Sequence, residues 1–154
     1  MVNQVVLLAG GKGTRMRELT ETIPKPMVEI GNSPVLQHLI DIFENFNNFN
    51  YLVATGYKSE IIEKHFSNAN NIKTIQTGEE TNTGGRVFKL ANLLEDTFIV
   101  TYGDGLANVN IKSLIEFHES HEKLGTVTVT NPVSRFGLVE FDGDFTVKIG
   151  RAHV

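Results

Sequence analysis

The 154 residues include no cysteine, which excludes a disulfide framework, a thiolate metal site and a cysteine nucleophile together. No apolar run approaches the roughly 20 residues that a bilayer-spanning helix needs, so no membrane partner is expected. Basic residues are not in excess. The 14 Lys and Arg face 18 Asp and Glu, a formal charge of −4, which gives no electrostatic reason to expect a nucleic-acid partner. Proline is scarce, at four, and no Pro/Gly-rich linker, internal repeat or low-complexity tract divides the chain, so one domain is expected. The apolar opening MVNQVVLLAGG is short, lacks a basic leading segment and runs into glycines, unlike a cleaved signal peptide. At 40% hydrophobic and 21% charged, the composition supports a folded core, and a soluble, cytoplasmic protein is expected.

What is present is an alternation of strand-like and helix-like segments. Residues 5–9 (VVLLA) and 51–55 (YLVAT) read as strands buried on both faces, and residues 72–77 and 97–102 (TFIVTY) as two more strands. Ser33 and Pro34 read as the N-cap and first residue of a helix carrying Val35, Leu36, Leu39, Ile40, Phe43 and Phe46 at helical spacing. Residues 59–66, 86–94 and 111–121 read as further helices, the last packing Leu114, Ile115 and Phe117. A strand over 126–130 and a hairpin of 137–141 with 145–149, around Asp142-Gly143-Asp144, complete the pattern. Phe43, Phe46, Phe49 and Phe117 are assigned to the core. Strands alternating with helices predict an α/β fold, a Rossmann-like, mostly parallel sheet with flanking helices. In such sheets ligands bind beyond the carboxyl ends of the strands.

The last six residues, 149–154 (IGRAHV), match the translation of a common sequencing adapter, and Lys148 fits the codon before it. A natural domain over 1–148, incomplete at its end, followed by a non-native tail is therefore expected.

The connection after the first strand, GGKGTRMRELTETIPKPM, is unusually long. Gly10, Gly11 and Gly13 allow a tight turn that presents several backbone N–H groups together, an anion nest. Thr14 adds a hydroxyl, and Arg15 a planar fork of donors suited to phosphate oxygens. Lys25 is held between Pro24 and Pro26, which stiffen the flanking backbone. Three glycines and two pinned cations at a strand end fit a polyphosphate. The P-loop pattern fails, because Lys12 is followed by Gly13 rather than Ser or Thr. The dinucleotide fingerprint fails as well, because Met16 stands where its third glycine belongs.

The string Gly10-Gly11-Lys12-Gly13-Thr14-Arg15 with Pro24-Lys25-Pro26-Met27 resembles the signature of the sugar-phosphate nucleotidyltransferases. Residues 27–31 (MVEIG), 81–86 (TNTGGR), 102–105 (YGDG) and 135–137 (RFG) extend the likeness to the glucose-1-phosphate cytidylyltransferases. The resemblance covers the front part of such an enzyme. It implies the nucleotide-diphospho-sugar transferase type of fold, truncated at its C-terminus. It also implies a nucleoside triphosphate and a sugar 1-phosphate as partners and Mg²⁺ as cofactor. The activity implied is synthesis of NDP-sugars for cell-surface polysaccharides or deoxysugars. On that likeness Leu8, Ala9, Gly10, Gly11, Lys12, Gly13 and Thr14 cradle the nucleotide. Arg15 neutralises the β- and γ-phosphates, and Lys25 contacts the α-phosphate and the incoming sugar phosphate. Thr81 and Arg86 bind the nucleotide, Gly103 lies against its sugar, and Asp104 holds the metal. The family's second metal carboxylate comes from a region beyond this chain, so the 154 residues are expected to bind nucleotide weakly without turnover.

One departure is plain. An insertion usual before the TGGR element is absent, and only residues 78–82 stand there, which leaves the choice among CTP, UTP, dTTP and GTP open. A catalytically silent nucleotide sensor and a dinucleotide oxidoreductase remain as alternatives. The sequence leaves the oligomeric state open, a homo-oligomer of the full-length protein included. His118 and His121 are three apart, not the four of a zinc helix motif, and read as a solvated face. Thr83 doubles as a candidate helix N-cap.

Overall fold

The computed structural model describes residues 2–13, 20–121, 123–130, 138–141 and 147–151. It divides into two units, residues 1–120 and 121–154. In the first unit the elements run β1 (Gln4–Leu8), a 3₁₀ turn (Lys25–Met27), β2 (Glu29–Ile30), β3 (Ser33–Pro34) and α1 (Val35–Glu44). They continue through β4 (Asn50–Thr55), α2 (Ser59–His65), β5 (Ile72–Gln76), α3 (Thr83–Lys89), a second 3₁₀ turn (Ala91–Leu93), β6 (Ile99–Tyr102) and α4 (Ile111–Ser120). Four strands form one parallel sheet in the order β5-β4-β1-β6, with Leu8 opposite both Ala54 and Tyr102. The expected α/β architecture is thus present, with β1 central. The chain order reverses beside β1, the place where such sheets open a ligand crevice.

Period-two alternation sends the strand side chains into two cores. Val5, Leu7, Tyr51 and Val53 pack under Leu36, Leu39, Ile40 and Phe43 of α1, Ile62 of α2 and Ile111 of α4. Val6, Leu8, Leu52 and Ala54 pack against Leu90, with Val87 and Leu94 beside it. Both faces of β1 and β4 are covered, which is why these strands read as continuous apolar runs rather than as alternation.

Several local expectations are corrected. Ser33 and Pro34 do not open α1 as N-cap and first residue. They pair with Glu29 and Ile30 as a two-stranded hairpin turning at Gly31 (φ +66°), and Pro34 occupies the N-cap of α1 without a side-chain cap. The helix expected over 86–94 starts three residues earlier, at Thr83, and ends in a separate 3₁₀ turn. Its cap is Asn82, whose Oδ1 accepts from the Gly85 N–H at 2.7 Å, and not Thr83. Phe46 and Phe117 are not core residues, at 44% and 61% exposed. Phe46 lies beyond the end of α1, and Phe117 sits about 120° around α4 from Ile111 at 3.6 residues per turn. Phe43 and Phe49 are buried and meet edge to face.

In the second unit, residues 126–130 form no strand, contrary to expectation. An alternating apolar run becomes a strand only where a neighbour supplies a ladder of backbone hydrogen bonds, and Val127 and Val129 are exposed. The expected hairpin is present as β7 (Leu138–Phe141) antiparallel to β8 (Val147–Arg151), with an irregularity at Glu140/Phe141. Its Asp142-Gly143-Asp144 turn and the 135–137 motif lie outside the described residues. His121 follows the end of α4 and bonds Thr126 Oγ1 through Nε2 at 2.8 Å, so it does not share a solvated helix face with His118. No helix among the described residues is long and apolar enough to cross a membrane.

Candidate active site

The parallel sheet brings the carboxyl ends of β1, β5 and β6 to one side. The glycine-bearing segments that follow them meet at a cleft of about 380 Å³. Leu8, Ala9, Gly10, Gly11 and Gly13 form one wall, and Lys25 with Pro26 another. Glu79, Glu80, Thr81, Asn82, Thr83 and Arg86 line the side after β5, and Tyr102 and Asp104 the side after β6. Thr14 and Arg15 lie outside the described residues.

Two of the three loop glycines are required by their surroundings, and the third leaves the backbone bare. A Cβ on Gly10 would stand 1.9 Å from Nη1 of Arg86. One on Gly11 would meet nothing within 4 Å, so that position is bare toward open space. Gly13 takes φ +62°, a conformation in which other residues are strained, and it lies against the stem of Lys25, 3.0 Å from its Cβ to the position a Gly13 Cβ would take. Thr20 Oγ1 donates to the Gly13 carbonyl at 3.2 Å, and the Tyr57 N–H to the Gly10 carbonyl at 3.2 Å, so the loop is tied at both ends. Substituting Gly10 with alanine is expected to cost about 1–3 kcal/mol through overpacking. At roughly 2–4 °C per kcal/mol for a chain of this size, a thermal melt would show it plainly.

Lys25 opens the 3₁₀ turn between Pro24 and Pro26, both buried, while the Met27 N–H donates to the Pro24 carbonyl at 2.8 Å. The two prolines therefore anchor the backbone from which the ammonium projects. That ammonium forms an ion pair with Oδ2 of Asp104, both side chains remaining partly open to the cleft. Asp104 sits at the tip of a turn closed by the Gly105 N–H on the Tyr102 carbonyl at 3.2 Å. Gly103, one residue earlier, extends the β1–β6 ladder by donating to the Leu8 carbonyl at 2.9 Å. A Cβ there would come 3.2 Å from that oxygen. Gly103 holds the turn against β1 and is not among the residues that line the cleft.

Lys12 spans the mouth rather than lining it. Its ammonium donates to Glu80 Oε1 and lies 3.7 Å from Glu79 Oε2. The hydrogen bond from Lys12 holds the Glu80 carboxyl below the usual carboxylate range, and the same bond raises the Lys12 ammonium. Both groups are solvated, so the pair contributes little to folding. Thr81 Oγ1 donates to the Thr77 carbonyl at 2.6 Å and accepts from Lys89 at 3.0 Å. Arg86 is 5% exposed, and burial pushes its guanidinium down from its ordinary value.

The sequence reading missed Pro26, Glu79, Glu80, Asn82, Thr83 and Tyr102 as lining residues. Glu79 and Glu80 follow Gly78 (φ +92°) in the segment after β5, so an acidic pair in one strand-end loop facing Lys12 in another was the available signal.

The profile of the Nucleotidyl transferase family matches residues 4–149, and the chain belongs to that family. Among curated relatives, the glucose-1-phosphate cytidylyltransferase of Salmonella typhimurium is 35% identical over 164 residues, covering 89% of this chain and 64% of that protein. The probable glucose-1-phosphate cytidylyltransferase of Bacillus subtilis is 35% identical over 88% of this chain and 63% of its own length. The chain thus spans just under two thirds of the length of these two relatives. Among solved structures, HddC from Yersinia pseudotuberculosis complexed with GMP-PN is 28% identical with a TM-score of 0.69, covering 98% of this chain and 71% of that one. A UDP-glucose pyrophosphorylase complexed with UDP-glucose shares the fold at TM-score 0.61 over 78% of this chain and 53% of its own, at 20% identity.

Proposed function

We propose that the protein transfers a nucleotidyl group from a nucleoside triphosphate to a sugar 1-phosphate, with CTP and glucose 1-phosphate the first choices, releasing pyrophosphate. The observation that carries this reading is the meeting of Lys25 and Asp104 as an ion pair in the cleft walled by Gly10, Gly11 and Gly13. Anion donors alone would serve nucleotide capture; a lysine and a carboxylate meeting beside them also provide for a metal and for a second, incoming phosphate. The two cytidylyltransferase relatives support CTP, and the products would be an NDP-sugar in the cytoplasm.

In the reaction a phosphate oxygen of the sugar 1-phosphate attacks the α-phosphorus in line. The bond from that phosphorus to the bridging oxygen breaks, and pyrophosphate leaves with the electron pair. No covalent enzyme intermediate is required, so the protein's contribution is positioning and charge stabilisation. The segment from Leu8 to Thr14 receives the nucleotide, its bare backbone allowing close approach. Arg15 steadies the β- and γ-phosphates, and Lys25 draws the sugar phosphate and the α-phosphate together. Thr81 serves the nucleotide from the segment after β5, Arg86 through the loop oxygens it holds, and Gly103 by fixing the turn after β6 that presents Asp104.

Mg²⁺ fits the donor set, since that ion binds through one or two carboxylates and completes its octahedron with phosphate oxygens and water. Asp104 would hold it, and when bound the ion supplies charge neutralisation and polarises the triphosphate. Lys25, paired with Asp104 in the free protein, would turn its ammonium to the substrate phosphates.

Titrating each of CTP, UTP, dTTP and GTP with Mg²⁺ into the protein by calorimetry tests the reading, with one base expected to bind best. No heat with any of them would refute it. The double variant Glu79→Gln/Glu80→Gln removes two negative charges from the mouth and frees Lys12. It should tighten triphosphate binding by about threefold at low salt, as expected for solvated charges, and the gain should shrink as salt rises.

A further inference from the structure

We propose that Arg86 is a positioning residue for the phosphate loop, a buried guanidinium whose charge is balanced by the bound triphosphate rather than by a carboxylate of the protein. The identity of the anion rests on the nucleotidyl-transfer reading. Arg86 Nη1 donates to the Thr55 carbonyl at 3.1 Å and to Thr77 Oγ1 at 2.6 Å. Nη2 donates to the Gly10 carbonyl at 2.9 Å and to the Glu79 carbonyl at 3.1 Å. All four Nη hydrogens are spent on these oxygens, which leaves only Nε–H of the five donors. Four of its five donors therefore hold the protein rather than a ligand.

What it holds is the frame of the cleft. Gly10 follows β1, Thr55 ends β4, Thr77 follows β5, and Glu79 stands on the cleft wall. One side chain pins all four. Two glycines exist to admit it: a Cβ on Gly10 would come 1.9 Å from Nη1, and one on Gly56 2.8 Å from the same atom and 2.7 Å from the Gly10 oxygen. No ion pair to Arg86 occurs among the described residues, and Glu79 offers its carbonyl while its carboxylate faces Lys12. Burying a cation without a counter-charge is costly, and such a site gains most when an anion arrives beside it. The Gly10 carbonyl fixed by Arg86 sets the orientation of the peptide leading into Gly11, where bare backbone opens on the cleft.

The test is calorimetric titration of Mg²⁺ with each of the four triphosphates into wild type, Arg86→Lys and Thr77→Val. Thermal melts of the free proteins and competition by the unphosphorylated nucleoside accompany it. Thr77 does not line the cleft, and its valine variant removes one acceptor from Nη1 while keeping the charge. For the triphosphate that wild type binds best, Arg86→Lys should lose about tenfold or more, because an ammonium cannot serve four acceptors in a plane. Thr77→Val should lose about threefold, less than the full worth of one hydrogen bond to a charged group because the other three bonds keep the guanidinium in place. Nucleoside affinity should hold in both. If both variants bind triphosphate as wild type does, or if triphosphate and nucleoside weaken together, the positioning role is overturned and Arg86 is only a structural clamp. Should Arg86→Lys fail to fold, Thr77→Val decides alone. Wild type that binds no triphosphate overturns the nucleotidyl-transfer reading, and this inference with it.

Discussion

Replacing Lys25 with methionine is expected to slow nucleotidyl transfer in the full-length gene product by about 10²–10³-fold, the scale set by removing one preorganised donor from a developing anion. The ammonium stands on backbone fixed by two buried prolines, so little freedom is lost when it engages phosphate. Methionine keeps the stem that packs against Gly13 and deletes only the charge. Triphosphate affinity should fall far less than the rate, since Lys25 acts where the two substrates meet. Stability of the free protein should change by about 0–1 kcal/mol, because the pair with Asp104 is partly solvated. A large loss of stability with an unchanged rate per folded molecule would refute the assignment.

Asp104→Asn should erase the magnesium dependence of triphosphate binding. Wild type is expected to bind at least about tenfold more tightly with Mg²⁺ than with a chelator, or ~1.4 kcal/mol, and the variant equally in both. Asparagine preserves the size of the side chain and can still accept from Lys25, so the fold and the turn after β6 should be retained. Its amide is a poor ligand for a hard cation that selects carboxylate oxygen. Magnesium dependence that survives the substitution would place the metal elsewhere.

Much of the fold was legible because it rests on local pattern. The runs at 5–9 and 51–54 are apolar at every position, and the structure buries β1 and β4 on both faces. Residues 126–130 carry a strand-like alternation instead, but a strand also needs a partner, and pairing is set by chain far away in sequence. The α3 cap was misplaced by one residue because Asn82 and Thr83 are both cap-competent and only geometry chooses between them. In the site, the glycine loop and Lys25 stood out by spacing within one segment. The bond from Arg86 to the Gly10 carbonyl, 76 residues apart, did not. Motif reading assigns each residue to a ligand and is blind to side chains that hold other side chains. The pairing of Lys12 with Glu79 and Glu80 was hidden for the same reason, since it joins two strand ends that only the sheet brings together.

The most direct measurement is a product balance on the full-length gene product with Mg²⁺, CTP and glucose 1-phosphate, counting pyrophosphate and NDP-sugar together. The account predicts equal amounts of the two, both dependent on the sugar phosphate and both formed far more slowly in Lys25→Met and Asp104→Asn. Tight triphosphate binding without pyrophosphate release, whichever base and sugar 1-phosphate are supplied, would contradict it and leave a nucleotide sensor in its place.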